Sequence, residues 1–201
     1  EKPLVVKPAN SQQGTNVYTN IKTYNKYATS IKNIYAHHSK RKVDILVEEM
    51  FIGDEYRILA TQDKILSVIK RIAANVVGDG VSTISELAGI KNQDPIRLEM
   101  STYKGITIDK NVILFLKKQG FKPSTILSKG ERVFLRNQGP LDISLGGDTI
   151  DVTDMIHPSV EKIVKKIMKS MPGLALTGID YMTKDISGPQ TKHNYRVIEI
   201  N

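Results

Sequence analysis

Leu174–Asn201, LALTGIDYMTKDISGPQTKHNYRVIEIN, reads as two strands, Leu174–Met182 and Tyr195–Ile200, joined by a polar stretch containing Gly188-Pro189. Apolar residues dominate both runs, so their polar members stand out. Asp180 lies inside the first strand, and Glu199 and Asn201 close the second. Residues two apart on a strand face the same way, so Glu199 and Asn201 project together. If the strands pair, Asp180 can lie opposite them. Two carboxylates and an amide oxygen make a hard-oxygen set of the kind magnesium takes when it also holds substrate phosphates. Burying three such groups without partners would be costly. On spacing alone the other reading, strand ends that meet solvent, stands ahead of it.

Upstream, Pro158 suits the first turn of a helix whose one face collects Val160, Ile163, Val164, Ile167, Met168 and Met171. Val133–Arg136 reads as a short strand, and Val112–Lys118 as a helix stopped at Gly120. Thr83–Glu86 matches a capping box that starts another helix. Asn75–Gly80, NVVGDG, reads as a glycine-bearing turn. Tyr56–Ala60 and Ile65–Ile72 form a strand pair around Gln62-Asp63, and Val43–Val47 is a further strand. Tyr24, Tyr27, Ala28, Ile31 and Tyr35 recur at helical spacing. Leu4–Val6 is a strand ended by Lys7-Pro8, with a loop at Ala9–Asn16. Strands and helices interleave, and short turns join most strand pairs. The expected class is α+β, with mixed or antiparallel sheets and helices packed on them.

The 201 residues suffice for one large domain or two small lobes. No apolar run approaches the ~20 residues that span a bilayer, and the start does not resemble a secretory signal. Cysteine is absent, which excludes disulfides and thiolate chemistry and fits a reducing cytoplasm. The net charge of +8 is uneven: +6 over residues 1–46, −3 over 47–100 and +4 over 101–150. Such a surface can serve any polyanion, a triphosphate included. No RNP-like aromatic pair, zinc-finger spacing or basic recognition helix accompanies it, so a nucleic-acid partner is not expected. Both ends read as strands, without an initiator methionine or a tail, and the expectation is a piece of a longer chain.

Other polar residues stand where chemistry or solvent could explain them. Lys7 ends a strand ahead of a loop with Ser11 and Gly14, where amides could cradle phosphate, although no Walker loop occurs. Glu48, Glu49, Asp54 and Glu55 crowd one segment, either a solvated turn or a hinge that meets a base and a ribose hydroxyl. Arg57 and Arg71 stand in strands and Arg136 ends a third, where each needs an anion or a route to water. His37, His38, His157 and His193 lack zinc-ligand spacing. No nucleophile, base and orienter triad is legible.

Eight strings in order carry a resemblance: VVKP (Val5–Pro8), LVEEMFIGDEYRIL (Leu46–Leu59), NVVGDGVSTISEL (Asn75–Leu87), NQDPIR (Asn92–Arg97), KGERVFLR (Lys129–Arg136), GGDTIDVTDMIHP (Gly146–Pro158), GIDYMTKDIS (Gly178–Ser187) and VIEIN (Val197–Asn201). Together they resemble the ATP-grasp superfamily, in particular the ATP-grasp domains of bifunctional glutathione-synthesising enzymes and of cyanophycin synthetase. The resemblance implies two α+β lobes that grip ATP, with residues 1–50 in the N-terminal lobe and 51–201 in the C-terminal lobe. It implies a ligase that joins a carboxylate to an amine through an acyl phosphate, with ATP and magnesium or manganese as cofactors.

The resemblance also assigns roles. Lys7 would contact ATP phosphates and the loop around Gly14 would close over them. Glu48, Glu49 and Met50 would line the adenine, Glu55 would hold the ribose, and Arg57 belongs with the same group. Arg71 and Arg136 would face the transferring phosphoryl group. Asn75, Asp79, Gly146 and Gly147 would border the acceptor pocket, and Asp180, Glu199 and Asn201 would carry the metal. Partners would be amino-acid or peptide carboxylates and amines, with no membrane and with homo-oligomers formed through the longer chain. Asn16, Ala74 and Leu145 depart from the family's usual Gly, Pro and Thr. The lid and the acceptor pocket are therefore where a cyanophycin-type ligase, or a nucleotide-binding module without turnover, remain alternatives. The 201 residues alone are expected to be inactive.

Overall fold

The computed structural model describes residues 2–10, 16–38, 42–99, 105–136 and 145–201. The chain divides into two units, Glu1–Ile52 and Gly53–Asn201.

In the first unit, β1 (Leu4–Pro8) lies between β2 (Tyr18–Ile21) and β3 (Ile45–Glu49) in an antiparallel sheet. Helix α1 (Tyr24–His37) starts at Thr23, whose hydroxyl accepts from the Lys26 N–H and so satisfies one of the open amides of the first turn. Its Tyr27, Ile31 and Ile34 close over Val6, Ile21 and Val43. Strand β2 is not legible in the sequence. Its four residues, YTNI, show no alternation, and Asn20 sits at φ +56°.

The second unit runs through β4 (Asp54–Thr61), β5 (Ile65–Ile72), β6 (Asn75–Val77), α2 (Ile84–Asn92), α3 (Pro95–Glu99), α4 (Lys110–Lys118), β7 (Arg132–Phe134), β8 (Asp148–Asp151), α5 (Pro158–Ser170), β9 (Leu176–Thr183) and β10 (Tyr195–Ile200). Five strands form one antiparallel sheet in the order β10-β9-β4-β5-β8. One face buries Tyr56, Ile58 and Ala60 of β4 with Ile179 and Tyr181 of β9. Against them pack Val160, Val164 and Met168, the stripe that α5 presents. Each such side chain is worth about 1.5–3 kcal/mol when fully buried, so the sheet's inner and outer faces cannot exchange cheaply.

A second core gathers Val76, Ile84, Leu87, Leu116, Leu127 and Leu135 around the β6–β7 pair. Asn75–Val77 is thus a strand and not part of a turn, because its pairing partner lies far along the chain and three residues show no period. Its partner, β7, ends at Phe134, two residues short of the strand expected to reach Arg136. The capping box at Thr83 is present, with Thr83 and Glu86 each satisfying the other's open amide.

Candidate functional site

The alternation that buries Tyr56, Ile58, Ile179 and Tyr181 turns their neighbours to the opposite face of the sheet. Arg57 and Asp180 are partners across β4 and β9, and Glu55 and Arg71 across β4 and β5. The register of β10 slips between Val197 and Glu199, which sets Glu199 opposite Asp180. Such a bulge re-aims the residues beyond it. Asn201 follows, its backbone N–H and C=O both paired with Gly178 at 2.9 Å.

These side chains meet. Asp180 Oδ1 lies 3.1 Å from Arg57 Nε and 3.3 Å from Arg71 Nη1. Arg71 Nη1 also donates to Glu55 Oε1 at 2.7 Å. The Asn201 amide, turned so that its polar atoms face complementary partners, donates to Glu199 Oε1 and accepts from Arg57 Nη1, both at 2.9 Å. Arg57 Nη1 reaches the Gly178 carbonyl at 3.3 Å. Gly178 makes this possible, since a Cβ there would stand 2.7 Å from Arg57 Nη1 and 3.2 Å from Cδ. Asp180 Oδ1 and Arg71 Nε are buried without a hydrogen bond among the described residues, so the two Asp180–guanidinium contacts are ion pairs off the hydrogen-bonding axis.

A second cluster adjoins the first through β8, where Asp148 pairs with Ile72 and Thr149 with Arg71. Asp148 Oδ2 accepts from Asn75 Nδ2 at 2.7 Å and from Lys91 Nζ at 2.8 Å. Arg97 Nη2 contacts Asp148 Oδ1, and Arg97 Nη1 donates to the Gly147 carbonyl at 3.1 Å. Lys91 also donates to the Asn75 carbonyl at 2.8 Å. Burial lowers the Lys91 pKa, against the opposing pull of Asp148. Gly146 has φ +100°, and a Cβ there would stand 2.3 Å from Ile106 Cγ1, so only glycine fits.

Other expected site residues have partners of their own. Asp79 accepts from the Val81 and Ser82 N–H groups and the Ser82 hydroxyl, which push its pKa down to about 2 and hold the turn before α2. Arg136 pairs at 3.0 Å with Asp109, the N-cap of α4. In the first unit Lys7 Nζ pairs with Glu48 Oε2 at 2.8 Å, and Lys2 with Glu49 at 2.6 Å. The Met50 N–H donates to the Pro3 carbonyl. Gly14 lies outside the described residues.

The chain aligns along 99% of its length with cyanophycin synthetase of Synechocystis sp. at 35% identity. It aligns over its whole length with the glutathione biosynthesis bifunctional protein of Clostridium perfringens at 32%. It spans 22% and 25% of those two proteins. No family model matches. The crystal structure of a bifunctional glutathione synthetase from Pasteurella multocida superposes on the entire chain with a TM-score of 0.69 and 31% identity, 27% of that chain being covered. The chain belongs to the ATP-grasp superfamily.

Asp180, Glu199 and Asn201 suit a divalent ion chemically. They offer hard oxygens, and Asp180 Oδ1, although ion-paired to Arg57 and Arg71, accepts no hydrogen bond among the described residues. Among the described residues no three His, Cys, Asp or Glu side chains converge on one point. Two carboxylates and an amide leave positions open, as an ion shared with phosphates requires. The sequence reading of this ATP-grasp chain missed Gly178, Lys91, Arg97 and Asp148. Gly178 carried a signal, since a glycine inside a strand often marks a close approach. Arg97 carried none, because nothing in PIRLE tells a buried arginine from a solvated one.

Proposed function

We propose that this chain is the ATP-grasp part of an ATP-dependent carboxylate–amine ligase of the glutathione-synthetase type. The observation that carries the reading is the meeting of Arg57, Arg71, Asp180, Glu199 and Asn201 on one sheet face. A substrate carboxylate oxygen attacks the γ-phosphorus of ATP, forming an acyl phosphate and releasing ADP. The amine then attacks the acyl carbon, phosphate leaves, and the nitrogen loses a proton. Arg71 and Arg57 supply fixed positive charge where phosphoryl oxygens gather negative charge, and Glu55 and Asp180 keep those guanidiniums in place. Asp180, Glu199 and Asn201 would hold a divalent cation, magnesium or manganese, which when bound neutralises phosphate charge.

Lys7, the Gly14 loop and Glu48–Met50 are proposed as nucleotide contacts, Glu55 as the ribose contact and Arg136 as a further anion contact. Asn75, Asp79, Gly146 and Gly147 are proposed to border the acceptor pocket. The division into lobes 1–50 and 51–201, small amino-acid or peptide substrates, homo-oligomers, a cytoplasmic setting and no nucleic-acid partner belong to the same proposal. Among the described residues no helix is long and apolar enough to cross a membrane. Cyanophycin-type amino-acid ligation is the second reading, favoured by the 35% identity to cyanophycin synthetase.

Titration calorimetry with ATP tests the site. Binding that requires magnesium and is abolished in Asp180→Asn is expected; ATP affinity equal in the two proteins, with or without metal, would sink the metal assignment. In the intact polypeptide, ADP release should require a carboxylate and an amine together. Turnover of γ-glutamylcysteine with glycine would favour the first reading, and of amino acids alone the second.

A further inference from the structure

Within the second unit, one carboxylate ties together four elements that the sequence keeps apart. Asp148 at the start of β8 receives Asn75 from β6, Lys91 from α2 and Arg97 from α3. The ties close on themselves, since Lys91 also grips the Asn75 carbonyl and Arg97 the Gly147 carbonyl. Both amide hydrogens of Asn75 are then committed, to Ala73 and to Asp148, which fixes the orientation of its amide. Asn75 Oδ1 is left buried without a donor among the described residues. Along β8 the same carboxylate is one residue from Thr149, the partner of Arg71. Whatever sets Asp148 therefore sets Asn75 and Gly147 relative to Arg71.

We propose that Asp148, clasped by Lys91 and Arg97, is a positioning residue that holds the acceptor side of the site, Asn75 and Gly147, in register with Arg71. This rests on the ligase reading, in which Arg71 faces the phosphoryl group and Asn75 and Gly147 border the amine's pocket. The clasp acts through geometry and touches no reacting atom. Two cations on one carboxylate leave a surplus positive charge, and burial already weakens the hold of Lys91 on its proton. Losing the carboxylate therefore does more than remove a contact: it sets two cations against each other and releases Asn75 and Gly147 together.

The test compares wild type, Asp148→Asn and Lys91→Gln in the intact polypeptide, following ADP release with magnesium-ATP, γ-glutamylcysteine and glycine, or the amine that supports turnover. Lys91→Gln keeps the Arg97–Asp148 pair and serves if Asp148→Asn does not fold. Loosening Asn75 and Gly147 removes binding interactions that border the amine's pocket, so the amine KM should rise roughly tenfold, about the effect of one lost hydrogen bond, while the ATP KM stays near wild type. A purely structural role would lower kcat and the melting temperature together and leave both KM values in place, which overturns the inference. A wild type that releases no ADP with any carboxylate–amine pair removes the ligase reading, and this inference with it. A working wild type with unaltered variants removes only the clasp.

Discussion

At Gly178 the absence of a methyl group decides where a charge can lie. Arg57 rests against β9 over the glycine and reaches Asp180 and Asn201 from there. Overpacking in a rigid site costs about 1–3 kcal/mol, but here the nearest atoms belong to a long side chain that can swing away. Gly178→Ala should therefore shift the melting temperature little and weaken magnesium-dependent ATP binding. Calorimetry beside thermal melting separates the two effects. An alanine variant with wild-type affinity would mean that the Arg57 position is dispensable. Thr83 gives the contrasting case, a residue that serves only the fold. Thr83→Ala removes the cap of α2 and should cost about 1 kcal/mol in denaturant unfolding, with ATP affinity unchanged.

The elements differ in how far their sequence announces them. Helix α5 was legible because Pro158 opens it and its apolar stripe repeats for three turns; β4, β5, β9 and β10 were legible because apolar residues run along them. The facing of Glu199 and Asn201 was read from period two, but the slip that brings Glu199 opposite Asp180 was not, since a bulge leaves no mark in VIEIN. Strands β6 and β8 were missed for a related reason: each is three or four residues long and pairs with a distant segment. Loop and cap carboxylates add a pH dependence. Hydrogen bonds from backbone N–H groups and neighbouring hydroxyls lower the pKa of Asp79, Glu86, Asp151 and Asp185, and the Val112 N–H lowers that of Asp109. A carboxyl whose folded pKa is depressed binds protons more readily when unfolded, so its contribution is complete above its ordinary pKa and lost on acidification. Stability measured by denaturant should hold down to about pH 4.5 and fall toward about pH 2, the value at Asp79. A flat profile over that range would mean that these turns open without cost.

On the scale of the molecule, the two units are unequal. The second carries two hydrophobic cores of its own, whereas the first buries Val6, Ile21 and Val43 beneath Ile34 of a single helix. Domains of about sixty residues or fewer are marginal because so little surface is buried. Residues 53–201 expressed alone should unfold cooperatively by circular dichroism, and residues 1–52 alone should not. Broad, non-cooperative melting of 53–201 would show that its cores depend on the rest of the chain. The alternation along β9 reaches beyond any single experiment. Adding or removing one residue between Leu176 and Ile179 would send Asp180 inward and Ile179 outward, ruining solubility and chemistry at one stroke. Among descendants of this gene, that stretch should accumulate substitutions but never change its length, while insertions collect in the hairpin that follows.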